Sequence, residues 1–203
     1  MSVPDQNLYS IAGISYPKDA CVVIVRTEWN AATVDKLEEG AKQVLQEAGV
    51  KFTVVSVPGA FEIPFGIKHY WERNWCTAGK PHAFIALGCV LRGGTPHFDY
   101  VCNAVTDGVL QLNLSLPVPV IFGVLTVDNQ LQIDERTGGA QGHKGAEAAH
   151  EQRQHPQAKV RRPALEHRRQ QGQRAHEDQR IALHDAHGAR LQPHDVLQVQ
   201  PES

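Results

Sequence analysis

Four short runs rich in β-branched residues, Cys21–Arg26, Phe52–Val57, Ala83–Leu87 and Val118–Leu125, are apolar almost throughout. Few architectures accept such runs. A strand that alternates apolar and polar residues buries one face, whereas a continuous apolar run buries both, as in a parallel sheet covered by helices on each side. The segments between the runs carry helical spacing. After Asn30, a residue type favoured at the N-cap, Val34, Leu37, Ala41, Val44, Leu45 and Ala48 recur at intervals of three and four, and Gly49 supplies a stop. Further helices are predicted over Phe61–Trp75, Phe98–Leu116 and Asn129–Arg136, with residues 74–82 as a connecting loop. Right-handed crossovers then place helices on both faces, giving an α/β fold: a three-layer sandwich around a parallel sheet.

Composition divides the chain at residue 150. Residues 1–149 carry 11 Lys/Arg against 15 Asp/Glu and form one expected domain. Residues 150–203 hold 7 of the 11 histidines and 10 glutamines, and no Phe, Tyr or Trp. Such a tail buries too little apolar surface to offset an ordering entropy of about 1–2 kcal/mol per residue, so disorder is expected, with room for some helix around residues 164–186. Its histidines lack fixed ligand spacing, and no metal is expected. Cys21, Cys76, Cys89 and Cys102 form no CxxC pair and are expected to be reduced core residues. A net charge of −2 offers no basic face for nucleic acid. With no apolar run of membrane-spanning length and no signal-like start, a soluble cytoplasmic protein without membrane or nucleic-acid partners is expected.

In open parallel sheets ligands bind beyond the carboxyl ends of the strands, so the strand exits deserve inspection. The first strand leads into Thr27-Glu28-Trp29-Asn30, the second into Pro58-Gly59-Ala60-Phe61-Glu62, and the third into Cys89 through His97. Trp29 is suited to stacking on a heteroaromatic ring, or to a place in the core. Glu62 can bind polyol hydroxyls or simply sit solvated at a helix N-terminus. Gly93, Gly94 and Thr95 lead into a helix start, an arrangement that either cradles an anion or merely connects two elements. Arg92 suits a phosphate and a salt bridge equally. His97 stands where a side chain with an unperturbed pKa of about 6.5 can exchange protons near neutrality, or cap a helix. Farther on, Arg136 and Lys144 bracket a Gly-rich hinge and are candidate anion contacts or ordinary surface charges.

Glu28-Trp29-Asn30, Val57-Pro-Gly-Ala-Phe-Glu-Ile-Pro64, the Arg-Gly-x-Thr-x-His-x-Asp-Tyr core of Gly88–Tyr100, Pro119–Thr126 and Gly142–Ala149 together resemble the 6,7-dimethyl-8-ribityllumazine synthases of riboflavin biosynthesis. The resemblance covers roughly residues 14–149 in order and spacing. It implies a flavodoxin-like fold and condensation of 5-amino-6-ribitylamino-uracil with 3,4-dihydroxy-2-butanone 4-phosphate, with no cofactor. It further implies that Trp29 stacks on the pyrimidine, that Ala60, Phe61 and Glu62 hold the ribityl chain, and that Val90 and Leu91 read the pyrimidine edge. Gly94 and Thr95 would bind phosphate and His97 would carry protons. Phe122, Arg136 and Lys144 would come from an adjacent subunit of a homo-oligomer, a ring of five or a 60-subunit shell. Departures are Trp29 where phenylalanine is commoner, Pro96, His143 where asparagine is common, and the end of the apolar stripe at His150. The alternatives are a non-catalytic ligand-binding or shell-forming homologue, and a nucleotide-binding module, for which no GxGxxG or GxxxxGK[ST] follows a strand.

Overall fold

The computed structural model describes residues 19–154. The expectations for the tail fall outside these residues, apart from its first turn. Four strands, β1 (Cys21–Thr27), β2 (Lys51–Val57), β3 (Ala83–Leu91) and β4 (Val120–Val127), form one sheet in the order β2-β1-β3-β4, all parallel. Helices α1 (Ala31–Glu47), α2 (Ile63–Asn74), α3 (His97–Ser115), α4 (Gln130–Arg136) and α5 (Lys144–Gln154) complete the sandwich. The chain moves one way across the sheet from β1 to β2 and the other way from β2 to β3 to β4. With a constant crossover hand, α2 and α3 therefore share one face and α1 lies on the opposite one.

Alternate residues of the central strands supply the two cores. Val22, Ile24, Ile85 and Leu87 point to the face holding Val34, Leu37, Ala41 and Leu45 of α1 with Ala148 and Ala149 of α5. Val23, Val25, Phe84 and Ala86 point to Ile63 and Ile67 of α2 and Val105 and Val109 of α3. The strand residues just named are without solvent exposure, which is why these runs show no polar alternation. Each such aliphatic or aromatic side chain contributes about 1.5–3 kcal/mol by burial.

Several boundaries differ from the sequence expectation. β3 continues four residues past Leu87, because Gly88–Leu91 still pair with Val124–Val127 of β4 after the β1 ladder has ended at Arg26↔Leu87. β4 starts two residues late, at Val120, since Pro119 has no N–H to give to a ladder. A single 3₁₀ turn, Ala60–Glu62, precedes α2, and α3 begins at His97. Asn30 occupies the N-cap position of α1 but makes no capping bond; it lies in the left-handed region at φ 58°. True side-chain capping occurs at Asn129, whose Oδ1 accepts from the Gln132 N–H at 3.0 Å. The expected hinge is a small antiparallel pair, β5 (Thr137–Gly139) with β6 (Gly142–His143). Only Cys89 is a core cysteine; Cys21 and Cys102 are half-buried and Cys76 is exposed, all four as free thiols.

Helix α5 lies directly on α1 at Gly145, where a Cβ would fall inside the van der Waals radius of the Leu37 carbonyl. Replacing Gly145 with alanine should therefore push α5 off the sheet. A loss of about 1–3 kcal/mol in chemical denaturation is expected, and an unchanged midpoint would contradict this packing.

Candidate active site

The exits of the first three strands are stitched together by hydrogen bonds that extend beyond the ladder. Glu28 N–H donates to the Val57 carbonyl at 2.9 Å and Trp29 N–H to the Pro58 carbonyl at 3.0 Å. The Thr27 hydroxyl donates to the Trp29 carbonyl at 3.1 Å. Asn30, freed from capping, donates Nδ2 to the Cys89 carbonyl at 2.8 Å, just beyond the last β1–β3 backbone pair. Asparagine tolerates the left-handed conformation this reach requires. The sequence signal for this role was the residue type itself, and it pointed equally well to a cap.

Between these exits, at the point where strand order reverses, opens a cleft of about 750 Å³. Of the sequence-predicted residues, Trp29, Ala60, Phe61, Glu62, Val90, Leu91, Thr95 and His97 all line it. The Trp29 side chain is 74% exposed and Phe61 62% exposed. That settles the choice left open for Trp29: it is no core residue. The Glu62 carboxylate accepts from the Gly59 N–H at 3.0 Å, which fixes its place on the cleft wall. His97 is the exposed first residue of α3. Gly94 belongs to the same turn as Thr95 but does not line the cleft.

Arg92 resolves toward the salt bridge. Its Nε donates to Asp128 Oδ1 at 2.7 Å, its NH1 lies 3.3 Å from Asp99 Oδ1, and its guanidinium sits 3.9 Å above the Phe98 ring centroid. Asp99, Asp128 and Phe98 were not singled out from the sequence; Phe98 and Asp99 meet Arg92 locally in the first turn of α3, whereas Asp128 meets it only because β3 and β4 lie side by side.

The remaining predicted residues gather elsewhere. Phe122, Arg136 and Lys144 line a second recess of about 220 Å³ along β4, α4 and α5, which shares no residue with the first. Both cations already have partners. Lys144 Nζ lies 2.6 Å from Glu147 Oε2, and Arg136 donates NH1 to the Gln132 carbonyl at 3.1 Å. Glu151 joins the recess, its carboxyl pKa raised by burial and by repulsion from Glu147, against the pull of Lys144. Glu147 was missed although its spacing of three from Lys144 on one helix is the usual ion-pair signature.

No group of three or more His, Cys, Asp or Glu side chains among the described residues could hold a metal ion. No described helix is long and apolar enough to cross a membrane. An open parallel sheet with an apolar, aromatic-walled cleft beyond its strand ends defines a flavodoxin-like α/β domain with a site suited to a small organic ligand. Comparison with known proteins narrows the class. Residues 19–154 match the sequence profile of 6,7-dimethyl-8-ribityllumazine synthase. The chain is 44% identical to the protein of that name from Parabacteroides distasonis over 154 residues, covering 73% of this chain and 93% of the relative. It is 44% identical to that from Porphyromonas gingivalis over 144 residues (70% and 86%) and 48% identical to that from Kineococcus radiotolerans over 130 residues (63% and 77%). The chain belongs to the 6,7-dimethyl-8-ribityllumazine synthase family.

Cys89 reports on how well the floor of the cleft is packed. Burial pushes its thiol pKa up from 9.0 to about 11. The neutral thiol is favoured in the fold, so the stability tied to it is fully present below pH 9 and declines as pH rises from there toward 11. Thiol labelling at pH 8 should modify Cys76 and spare Cys89 until the chain is unfolded. Equal labelling rates for the two would mean that the cleft floor is open to water.

Proposed function

We propose that the cleft and the recess are two halves of one composite site, at which the chain condenses 5-amino-6-ribitylamino-uracil with 3,4-dihydroxy-2-butanone 4-phosphate to give 6,7-dimethyl-8-ribityllumazine, phosphate and water. The observation that carries the reading is the exposure of the Trp29 and Phe61 rings on a cleft whose rim also holds Thr95 and His97. Large apolar side chains left in solvent at a concave site mark a surface awaiting a ligand or partner.

In this reading the indole of Trp29 stacks on the pyrimidine and the main chain at Val90 and Leu91 reads its edge. Ala60, Phe61 and the fixed carboxylate of Glu62 hold the ribityl chain. Gly94 and Thr95 take the phosphate. A Cβ on Gly93 or Gly94 would meet nothing in the chain, and neither residue has a positive φ. Their own fold does not require glycine there, which leaves close approach of a ligand as the physical reason. The amine adds to the ketone and water leaves as the imine forms. Phosphate departs by elimination, and the second amine closes the ring with loss of another water. His97, at the cleft rim, carries protons between these steps. Alignment of two reactants supplies the larger part of such a barrier, about 7–11 kcal/mol in favourable cases, and one proton carrier adds about 10²–10⁴-fold.

Phe122, Arg136 and Lys144 complete the site from an adjacent subunit, so the working form is a homo-oligomer: a ring of five, or a sixty-subunit shell built from such rings. Exposed apolar residues on α2, α3 and α4, among them Phe65, Leu114 and Leu131, support burial against further copies. Arg136 exchanges its carbonyl partner for the substrate phosphate, which its planar fork suits. The four free thiols accord with a reducing cytoplasm.

Four outcomes follow for the mixed substrates, read by lumazine fluorescence. His97→Ala slows turnover by about 10²–10⁴-fold without abolishing it. Arg136→Ala raises KM for the phosphate substrate alone. Gly94→Ala leaves stability unchanged or raises it by about 0.4–1 kcal/mol while weakening the phosphate substrate, because alanine fits the backbone there but fills the ligand's space. With the phosphate substrate held well below the KM of the Arg136→Ala chain, co-assembled His97→Ala and Arg136→Ala chains regain activity at about a quarter of their sites, since random mixing gives some seams with both intact residues. Absence of any recovery in the mixture would place both halves within one chain and overturn the composite site.

A further inference from the structure

Gly93 through Pro96 form an exposed turn: a Cβ on either glycine would meet nothing, and the Thr95 and Pro96 side chains are solvent-facing. Such a turn takes its position from what flanks it. At its leading end Arg92 donates its main-chain N–H to the Val127 carbonyl at 2.8 Å. At its trailing end stands the first turn of α3, with His97, Phe98 and Asp99. The Arg92 side chain reaches across to both. Its Nε holds Asp128, just past β4; its NH1 reaches Asp99 in α3; and its guanidinium plane covers Phe98. Asp128 is itself fixed, because its N–H donates to Gln132 Oε1 at 2.9 Å in the first turn of α4.

Resting on the composite-site reading above, we propose that Arg92 is a positioning residue whose Asp128–Arg92–Asp99 bridge sets the distance between the phosphate turn and the first turn of α3, and with it the placement of Thr95 and His97. The chemistry asks for arginine. A guanidinium presents two donors in a fixed fork and a flat face at once, so it can hold two carboxylates and cover a ring; an ammonium on a flexible stem is one point charge. Both ion pairs are exposed, their side chains 43% and 57% accessible, so they add little to global stability. Their effect falls on geometry, where a small displacement is costly.

The test uses the full chain with Asp128→Asn, which lies outside the cleft lining, and, because Arg92 itself lines the cleft, Arg92→Lys only as a second variant. Asp128→Asn is expected to raise KM for the phosphate substrate about five- to tenfold, leave KM for the uracil amine within about twofold, and shift Tm by less than about 4 °C. Amide exchange in a peptide spanning residues 92–98 should quicken about tenfold while β1 and β4 stay protected. Arg92→Lys should act in the same direction, and Asp128→Glu should restore most of the loss. Unchanged KM and exchange in both variants overturns the proposal, as does faster exchange spread through the sheet with a falling Tm, which would mean a merely structural brace. If the unaltered chain forms no lumazine, the composite-site reading fails, yet the exchange measurement still decides whether Arg92 orders the turn.

Discussion

Backbone hydrogen bonding in this domain does not stop where the strands stop. Two N–H groups of the β1 exit continue onto carbonyls of the β2 exit, the Asn30 amide reaches the β3 exit, and the Arg92 N–H binds the end of β4. Each of these bonds is ordinary in strength, about 0.5–1.5 kcal/mol net. Together they turn four independent loops into one rim, and every residue of the candidate cleft stands on it. Because β3 and β4 run past the end of β1, the rim is stepped: Cys89–Leu91 form a wall on one side and the Trp29 turn sits below it. The cleft is the space left by strands of unequal length.

Chemistry is distributed over that rim by topology. Strand order reverses between β1 and β3, so the connections from the two strands leave toward opposite faces and cannot close over the gap. β4 lies on the far side of β3, and its cations on α4 and α5 consequently open onto a different recess. On the proposed reading, an aromatic cleft and a cationic recess encoded in separate places of one chain are brought together by self-association, since symmetry repeats the same seam at each boundary. The site and the assembly are then one requirement.

The sheet and its helices were legible because burial on both faces leaves an unbroken apolar run, which Val22–Val25 and Phe84–Leu87 show plainly. The cleft residues were legible through the family motifs, and their exposure was not: Trp29 reads the same as a core or a stacking residue until the strand that precedes it is placed. Asn30 was placed correctly at the N-cap of α1, but its side chain's reach to β3 was not legible, because capping and left-handed geometry favour the same side chain. The end of β3 was misjudged since its last residues are paired on one side only, and that depends on the length of a neighbour distant in sequence. Arg92 stayed ambiguous for a similar reason: Asp99 is seven residues on, in the first turn of the next helix, but Asp128 is 36 residues away and brought near by the β3–β4 pairing. Contacts made by topology leave little trace in local pattern.

Stability and function rest on different atoms here, which bears on how such a family tolerates change. The two cores hold most of the fully buried aliphatic side chains and hence most of the free energy that folds the chain. The rim is held by main-chain hydrogen bonds, solvent-exposed ion pairs and a carboxylate accepting one main-chain N–H, with open space beside Gly93 and Gly94. Exposed pairs cost little to lose in folding terms, so substitutions there leave an intact sheet with a displaced turn. Conversely the glycines at the turn sacrifice some stability, as alanine would restrict the unfolded chain more. On the proposed reading, the open space beside Gly93 and Gly94 is what the substrate phosphate occupies, and that use is the physical reason for leaving those positions without a side chain.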